Sequence, residues 1–354
     1  MNISTSIKLR AFGGASVLAL TAGLGTASIA LAQVVIDETV EDRQVVPGGG
    51  SLEVTVDGAI DVADDEAVQI DGDDAEITND GTISAGDGRA IDGRGVDDTT
   101  ILNSGLITST SDDTIDVSGS TGVTITNSGS IIAEANDTKA IDGGENLTVI
   151  NSGIIRSMNG DGKGVEGDAN LTIMNMEGGL IESLGTGAEA VEADAPGLTL
   201  VNNGTIRSEF DDGVDGDADV TITNTGLISG NNNDGIELNS GTITNSGTII
   251  SLGSDPDGTL VTPGGLPELD AAIDFDTGEL GEEDGAVFNL AGGLIEGDIG
   301  IEASPGNVDN PTPNRGSQVI VNQGTITGRE GDAVRLGEGF DQFAKIDGGV
   351  ENGR

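Results

Sequence analysis

The chain contains no cysteine, histidine, tryptophan or tyrosine, and six phenylalanines are its only aromatic residues. Each absence closes off a class of function. Without cysteine no disulfide can staple the fold, whatever compartment the chain occupies. Without cysteine or histidine the usual zinc centres are closed, and a serine nucleophile has no imidazole to take its proton. With so few rings the core cannot be gathered around aromatics, each of which buries a large area. It has to be built from Ile, Val, Leu and Ala in thin layers. Cations are scarce as well: 14 Lys and Arg stand against 62 Asp and Glu, a formal net charge of -48. Nucleic acid is excluded as a partner, because phosphate contacts need Lys and Arg. Such charge keeps a long molecule in solution at some cost in self-repulsion, and a monomer is expected. High charge with low hydrophobicity ordinarily means disorder, but regularly placed aliphatic residues argue against it here.

Residues 1–32 read as a secretory signal peptide. Lys8 and Arg10 supply the positive flank, and an apolar stretch runs from Phe12 to Leu31. Ala30-Leu31-Ala32 fits the small-residue cleavage pattern, leaving Gln33 as the mature N-terminus. Gly13, Gly14, Gly23 and Gly25 interrupt the stretch and no charged stop follows it, which argues against a membrane anchor. No later segment is apolar enough to span a bilayer.

What the chain does have is a period. Asn79, Asn103, Asn127, Asn151, Asn175, Asn202, Asn224, Asn245, Asn289 and Asn322 each follow an aliphatic residue by two positions, and the first five are 24 residues apart. A fixed period of this length means one structural unit stacked on itself. Four positions after the Asn an Ile recurs, as at Ile83, Ile107, Ile131 and Ile155; two copies, Asn175 to Ile181 and Asn289 to Ile295, carry two extra residues. A Gly lies between, such as Gly81 or Gly105. Asn and Gly tolerate the left-handed backbone of a sharp bend, so this Gly is expected to make a corner between two strands. A second aliphatic mark falls half a repeat later, usually after a small residue and before an acid, as in Ala90-Ile91-Asp92 and Gly213-Val214-Asp215.

No window places apolar residues at i, i+3, i+4 and i+7, so helix should be nearly absent. Each repeat therefore has three short strands and three corners, with one aliphatic per strand pointing inward. A lone coil could not bury them; a stack buries them in columns. Three aliphatics per coil do not offset about 1–2 kcal/mol of backbone entropy per residue, so stacked backbone bonds and a column of Asn amides must contribute. The fold class is all-β, a right-handed parallel β-helix of about ten coils, roughly 50 Å long at about 4.8 Å per coil. Residues 33–50 read as an N-terminal linker or cap, 51–336 as the β-helix and 337–354 as the start of a further repeat.

Runs such as Ile-Thr-Asn-Ser-Gly-Thr-Ile at Ile243 to Ile249, echoed at Ile125 to Ile131, resemble the passenger region of bacterial autotransporter proteins. Ala286 to Ile295 is a variant of the same run, and Ala333 to Gly337 through Ile346 to Gly349 looks like a passage into further passenger repeats. The resemblance covers nearly all of the chain after residue 32. It implies a Gram-negative outer-membrane or secreted protein, with an adhesin-like rod that meets a host-cell, matrix or neighbouring-cell surface. It also implies a C-terminal barrel, but no series of alternating strands with aromatic girdles is present. A periplasmic location is the expectation if that barrel is truly missing.

Chemistry is sparse. The glycines around Gly160, Gly162, Gly164 and Gly167 do not open a helix after a strand and form no dinucleotide site. Some β-helical proteins cleave polysaccharides with grouped Asp residues, and Asp211, Asp212, Asp215, Asp217 and Asp219 are the group that would serve. That enzyme is the alternative reading, although stacking aromatics and basic residues are scarce. The expectation is no enzyme and no cofactor. The same five residues, or Asp71, Asp73 and Asp74, would be the oxygen ligands of calcium. Their irregular spacing reads instead as solvated acidic corners. Thr occupies the third position before the Asn in seven copies, Thr100 to Thr242, but the position just before the Asn is mixed (Leu102, Ile150, Met174, Val201). That mixture spoils a paired Thr grid of the kind that binds ice and points to strand propensity. Two Pro-containing excursions, Leu252 to Asp270 and Ala303 to Ser317, leave the period and read as loops.

Overall fold

The computed structural model describes residues 7–10, 15–19, 33–253, 269–275, 284–303, 317–336, 341–346 and 348–352. Among these there are strands and turns but no helix. The strands form three sheets of 15, 13 and 12 members, and every third strand in the sequence joins the same sheet. Apart from an antiparallel pair, Ile7–Arg10 with Ala15–Ala19, and the antiparallel contact of Ala15–Ala19 with Gln33–Ile36, all pairings are parallel. The fold is the parallel β-helix that the period predicts. The rest of the segment read as a signal peptide lies outside the described residues, as does most of both Pro-containing excursions.

Sheet 1 carries the strand that ends in the Asn, such as Thr124–Asn127. Sheet 2 carries the strand after the corner, such as Leu106–Ser109, and sheet 3 the strand of the second aliphatic mark, such as Val165–Gly167. The three aliphatic columns all face inward: Ile125, Ile131 and Ile141 are fully buried, as are their counterparts above and below. A fourth column was not anticipated. Leu147, Leu171, Leu198 and Val220 fill the corner between sheets 3 and 1. Glycine opposite them makes the room, since a Cβ on Gly143 would sit 2.2 Å from Leu147 Cδ2.

The Asn column is a continuous buried ladder. Asn79 Nδ2 donates to Asn103 Oδ1 at 2.8 Å, and the relay repeats coil by coil to Asn322 at 2.8 to 3.0 Å. Each Nδ2 also donates to a backbone carbonyl of the next coil, such as Leu106 or Ile154. The amide thus satisfies corner carbonyls that would otherwise be buried without a partner. The ladder ends where Val54 stands in register below Asn79, and Asn79 Oδ1 is left buried with no hydrogen bond. The coil stack itself continues in both directions, through Ser51–Val54 and Gln33–Ile36 at one end and Asp341–Ile346 at the other.

The glycine at this corner has a different role from the one its position suggested. Gly81, Gly105, Gly129 and Gly153 are absent from the left-handed residues. They are required because successive corners stack backbone on backbone: a Cβ on Gly105 would lie 2.1 Å from the Gly81 carbonyl oxygen. Left-handed residues recur at the corner between sheets 3 and 1, at Asp74, Asp98, Gly122, Asn146, Asn170, Gly197, Asp219 and Gly241, and others, such as Asp137, Gly160 and Asn232, lie between sheets 2 and 3. Asp, Asn and Gly are the residue types that accept that conformation. The two-residue insertions are absorbed at Gly178 and Gly292, also left-handed. A further buried column, of small residues ending the sheet 2 strands, includes Ser109, Ser157, Ser183 and Ser208, whose hydroxyls donate to the carbonyls of Gly88, Thr138, Gly162 and Ala188.

Removing an internal rung should cost more than removing the first. Asn151→Ala strips Asn175 Oδ1 of its donor and Asn127 Nδ2 of its acceptor, and leaves the Leu180 carbonyl short. The expected loss is about 2–4 kcal/mol in chemical denaturation, against roughly half that for Asn79→Ala. Equal losses would mean that the ladder is not a relay.

Candidate functional site

The residue after each inward aliphatic of sheet 3 faces outward, and pairing stacks these residues in one column. Asp92, Asp116, Asp142, Glu166, Glu192 and Asp215 follow one another in register. Glu237, Asp274 and Glu302 continue the column, which ends at Arg335. Nine consecutive acids one coil apart repel one another unless cations or protons intervene.

In the first half, cations intervene. Arg89, Lys139 and Lys163 stand two residues before the aliphatic, beside the acid column, and Asp113 fills that position in the coil between the first two. Arg89 Nε contacts Asp116 at 2.6 Å, Lys139 bridges Glu166 and Asp142, and Lys163 lies 3.2 Å from Glu192 and 3.8 Å from Glu189. Arg94 adds a contact to Asp92 at 2.8 Å. From Glu189 onward the flanking position turns acidic too, as Glu189, Asp212 and Asp234, so two acid columns run side by side. A groove on this face is lined by Glu192, Asp194, Asp215, Asp217, Glu237 and Asn239.

Raised carboxyls overlap the cation-paired stretch: burial pushes Asp142 up to about 7 beside Lys139, and Lys163 lies against two more, Glu189 and Glu192. Burial first, then the neighbouring Glu189, pushes Glu192 up to about 8. Burial, helped by Glu237, pushes Asp215 up to about 7, and burial pushes Glu189 up to about 7. Asp212 is pushed up to about 10 by burial and by Asp234, whose own carboxyl is raised by burial and by Asp274. Sheet 2 provides the contrast. There Glu182 is fully buried yet lies between Arg156 and Arg207 on the coils before and after it, with Arg207 at 2.6 Å. Two guanidinium partners give this buried carboxylate the pairing that burial of a charge requires.

The five aspartates singled out from sequence do not form one site. Carboxylate oxygens within 4.8 Å of one another group Asp211 and Asp212 with Glu189, Asp215 with Glu189 and Glu192, and Asp212 with Asp234 and Glu237. Asp217 and Asp219 belong to none of these groups. Asp217 instead accepts from Asn239 Nδ2 at 2.6 Å, and Asp219 is a left-handed corner residue. Asp211 accepts from Asn233 at 2.8 Å, and Asp212 from both Asn233 and the Asp234 amide. Asp71, Asp73 and Asp74 lie at the other corner. Asp73 accepts the Asp97 amide, and Asp97 accepts the Thr121 amide, tying successive coils together. One further group, Asp113 with Asp116 and Asp142, sits beside Lys139 and Arg89. Glu189, Glu192, Asp234 and Glu237 stand outside the dense run of Asp in the sequence, and stacking of acids about one coil apart brings them to it. The small-aliphatic-acid pattern already marked that column.

Stacking thus brings acids of successive coils within 4.8 Å of one another, with Lys163 beside Glu189 and Glu192. The chain matches no family model, no curated protein and no solved structure.

Stability should fall with rising pH. Carboxyls whose folded pKa is raised contribute stability that is fully present below the unfolded value near 4 and lost as pH rises through the folded value. The cited groups place that loss mainly between about pH 6 and 10. The melting temperature is expected to drop across that range, and Glu192→Gln with Asp215→Asn should flatten the drop while leaving the value at pH 5 unchanged. A variant that melts in parallel with the parent at every pH would refute the stacked-proton account.

Metal selectivity gives a second check. If the acids are mutually repelling and solvated, sodium and calcium should raise the melting temperature equally at matched ionic strength, through screening. A saturable, submillimolar calcium effect abolished by Asp215→Asn would show a built cation site instead.

Proposed function

We propose that this chain is an exported structural or adhesive rod, shown at the surface of a Gram-negative cell or released from it, in the manner of an autotransporter passenger. The observation that carries the reading is the unbroken stack: three sheets of 15, 13 and 12 strands held by one Asn ladder. Such a stack offers long regular faces, which suits contact with extended surfaces. A leader-like N-terminus and a lack of cysteine fit export without disulfide chemistry. Contacts with a host-cell, matrix or neighbouring-cell surface belong to this proposal, as do an outer-membrane partner barrel and, without one, a periplasmic home.

A β-helical polysaccharide-degrading enzyme is the second reading, favoured by the raised carboxyls of Glu189, Glu192 and Asp215. Two features weigh against it. Their oxygens lie within 4.8 Å of one another, closer than the roughly 5–9.5 Å that glycoside hydrolysis uses. No ring flanks them in the groove.

Expressed in a Gram-negative host, the full chain should leave the cytoplasm and begin at Gln33 by N-terminal sequencing. Retention in the cytoplasm with Met1 in place would defeat the export reading. The same material, incubated with neutral and anionic polysaccharides, should release no new reducing or unsaturated ends. Turnover lost on Glu192→Gln would establish the enzyme.

A further inference from the structure

Charge is segregated among the three sheets. From Thr100–Asn103 to Ser317–Asn322, nine strands of sheet 1 present no charged side chain outward. One column is mostly Thr, such as Thr124 and Thr148, and the column beside it mixes Leu102, Ile150, Met174, Val201, Phe288 and Val321 with Thr126, Thr223 and Thr244. The neutral surface continues round the Asn corner to the first outward position of sheet 2, with Glu177 in an insertion as its one charged residue. Elsewhere sheet 2 carries Arg156, Glu182, Arg207 and Glu296, and sheet 3 carries the acid column. In a chain of 62 acids and net charge -48 this is a sharp partition.

We infer that this neutral face of sheet 1 is where two copies of the chain pack against each other. Electrostatics selects the occupant. An approach through sheet 3 sets acid column against acid column within a screening length of about 10 Å at 0.1 M salt. An approach through sheet 1 buries Thr and aliphatic side chains and keeps both acid columns on the outside. The two surfaces are also complementary by construction. Both copies rise by the same distance per coil, so the ridges of one fit the grooves of the other along the whole length. With the rods antiparallel about a two-fold axis in the plane of the face, the Thr column lies on the Thr column and the mixed apolar column on its own counterpart. Nine strands at about 4.8 Å give a face roughly 40 Å long, and four-residue strands make it roughly 13 Å wide. The roughly 1,000 Å² buried in total stands at the lower edge of specific interfaces, so the dimer is concentration-dependent. The expectation of a monomer took account only of net charge and not of where that charge sits. This inference rests on the fold and not on the route of export, so the two can fail separately.

Sedimentation equilibrium of the protein at rising concentration is the test. Association should strengthen at least about tenfold between 20 mM and 500 mM sodium chloride, because salt screens the residual repulsion. Ile150→Glu with Val201→Glu, both outward and half-buried, should abolish it. Asn136→Glu with Thr186→Glu adds the same charge at exposed positions away from sheet 1 and should weaken it far less. Circular dichroism of each variant guards against misfolding. Three results would overturn the inference: a monomer at every concentration and salt, association that survives the sheet 1 variant, or equal losses in both variants. End-to-end stacking of terminal strands would appear as the second of these.

Discussion

Everything in this molecule depends on one geometric constraint: each coil sits directly on the last, in register, one strand spacing away. Whatever occupies a position in one coil therefore meets its own counterpart above and below. For an amide this is favourable, because Asn can donate upward and accept from below, and the ladder from Asn79 to Asn322 does so without interruption. For an aliphatic it is favourable again, since Ile on Ile excludes water along the axis. For a carboxylate it is not. A column such as Asp142, Glu166, Glu192 and Asp215 sets like charge on like charge. The same rule that builds the core strains the surface.

The chain relieves that strain in two ways, and the change between them divides the rod. Up to Lys163 the flanking column interposes Arg89, Lys139 and Lys163, although Asp113 interrupts them and burial still pushes Asp142 up to about 7. In the next three coils Glu189, Asp212 and Asp234 take the flanking position, and burial with acidic neighbours pushes Asp212 up to about 10 and Asp215 up to about 7. A proton shared between neighbouring carboxyls does locally what a lysine does, but only while the pH permits. The two halves of one sheet thus have the same backbone and different responses to solution conditions. Fold alone would not distinguish them.

The period made the core readable from sequence. Inward positions recur at fixed offsets from the Asn, and a side chain with no room to vary announces itself. The corners were harder. The left-handed corner is filled by Asp98, Gly122, Asn146 and Asn170 in successive coils, three residue types that share a backbone conformation and not a side chain, so no single letter repeats. The Asn corner misled for the opposite reason. Its glycine repeats faithfully, but what it meets is the carbonyl of the coil before it, which no single coil contains. The stack's outer turns were hidden because Val54 and Ile346 replace the Asn there. Among the site residues, Asp211, Asp212 and Asp215 were visible as a dense run. Glu189 and Glu192 join them only through stacking.

A strict repeat arranges side chains in columns. An enzyme site gathers a few unlike side chains at one point, and a strict repeat works against that by placing like beside like. What repetition does produce is a surface of uniform character over tens of ångströms. Sheet 3 carries nine acids in one column, and the outward positions of sheet 1 are neutral from Thr100 to Val321. Substituting one member of such an array changes a fraction of it, so selection acts on the average along a face. The mixed Leu, Ile, Met and Val beside the Thr column can vary in shape because what the face requires is the absence of charge. That requirement is met in nine consecutive strands of a chain whose other faces are crowded with acids, and it is the property of the surface least explained by the needs of folding.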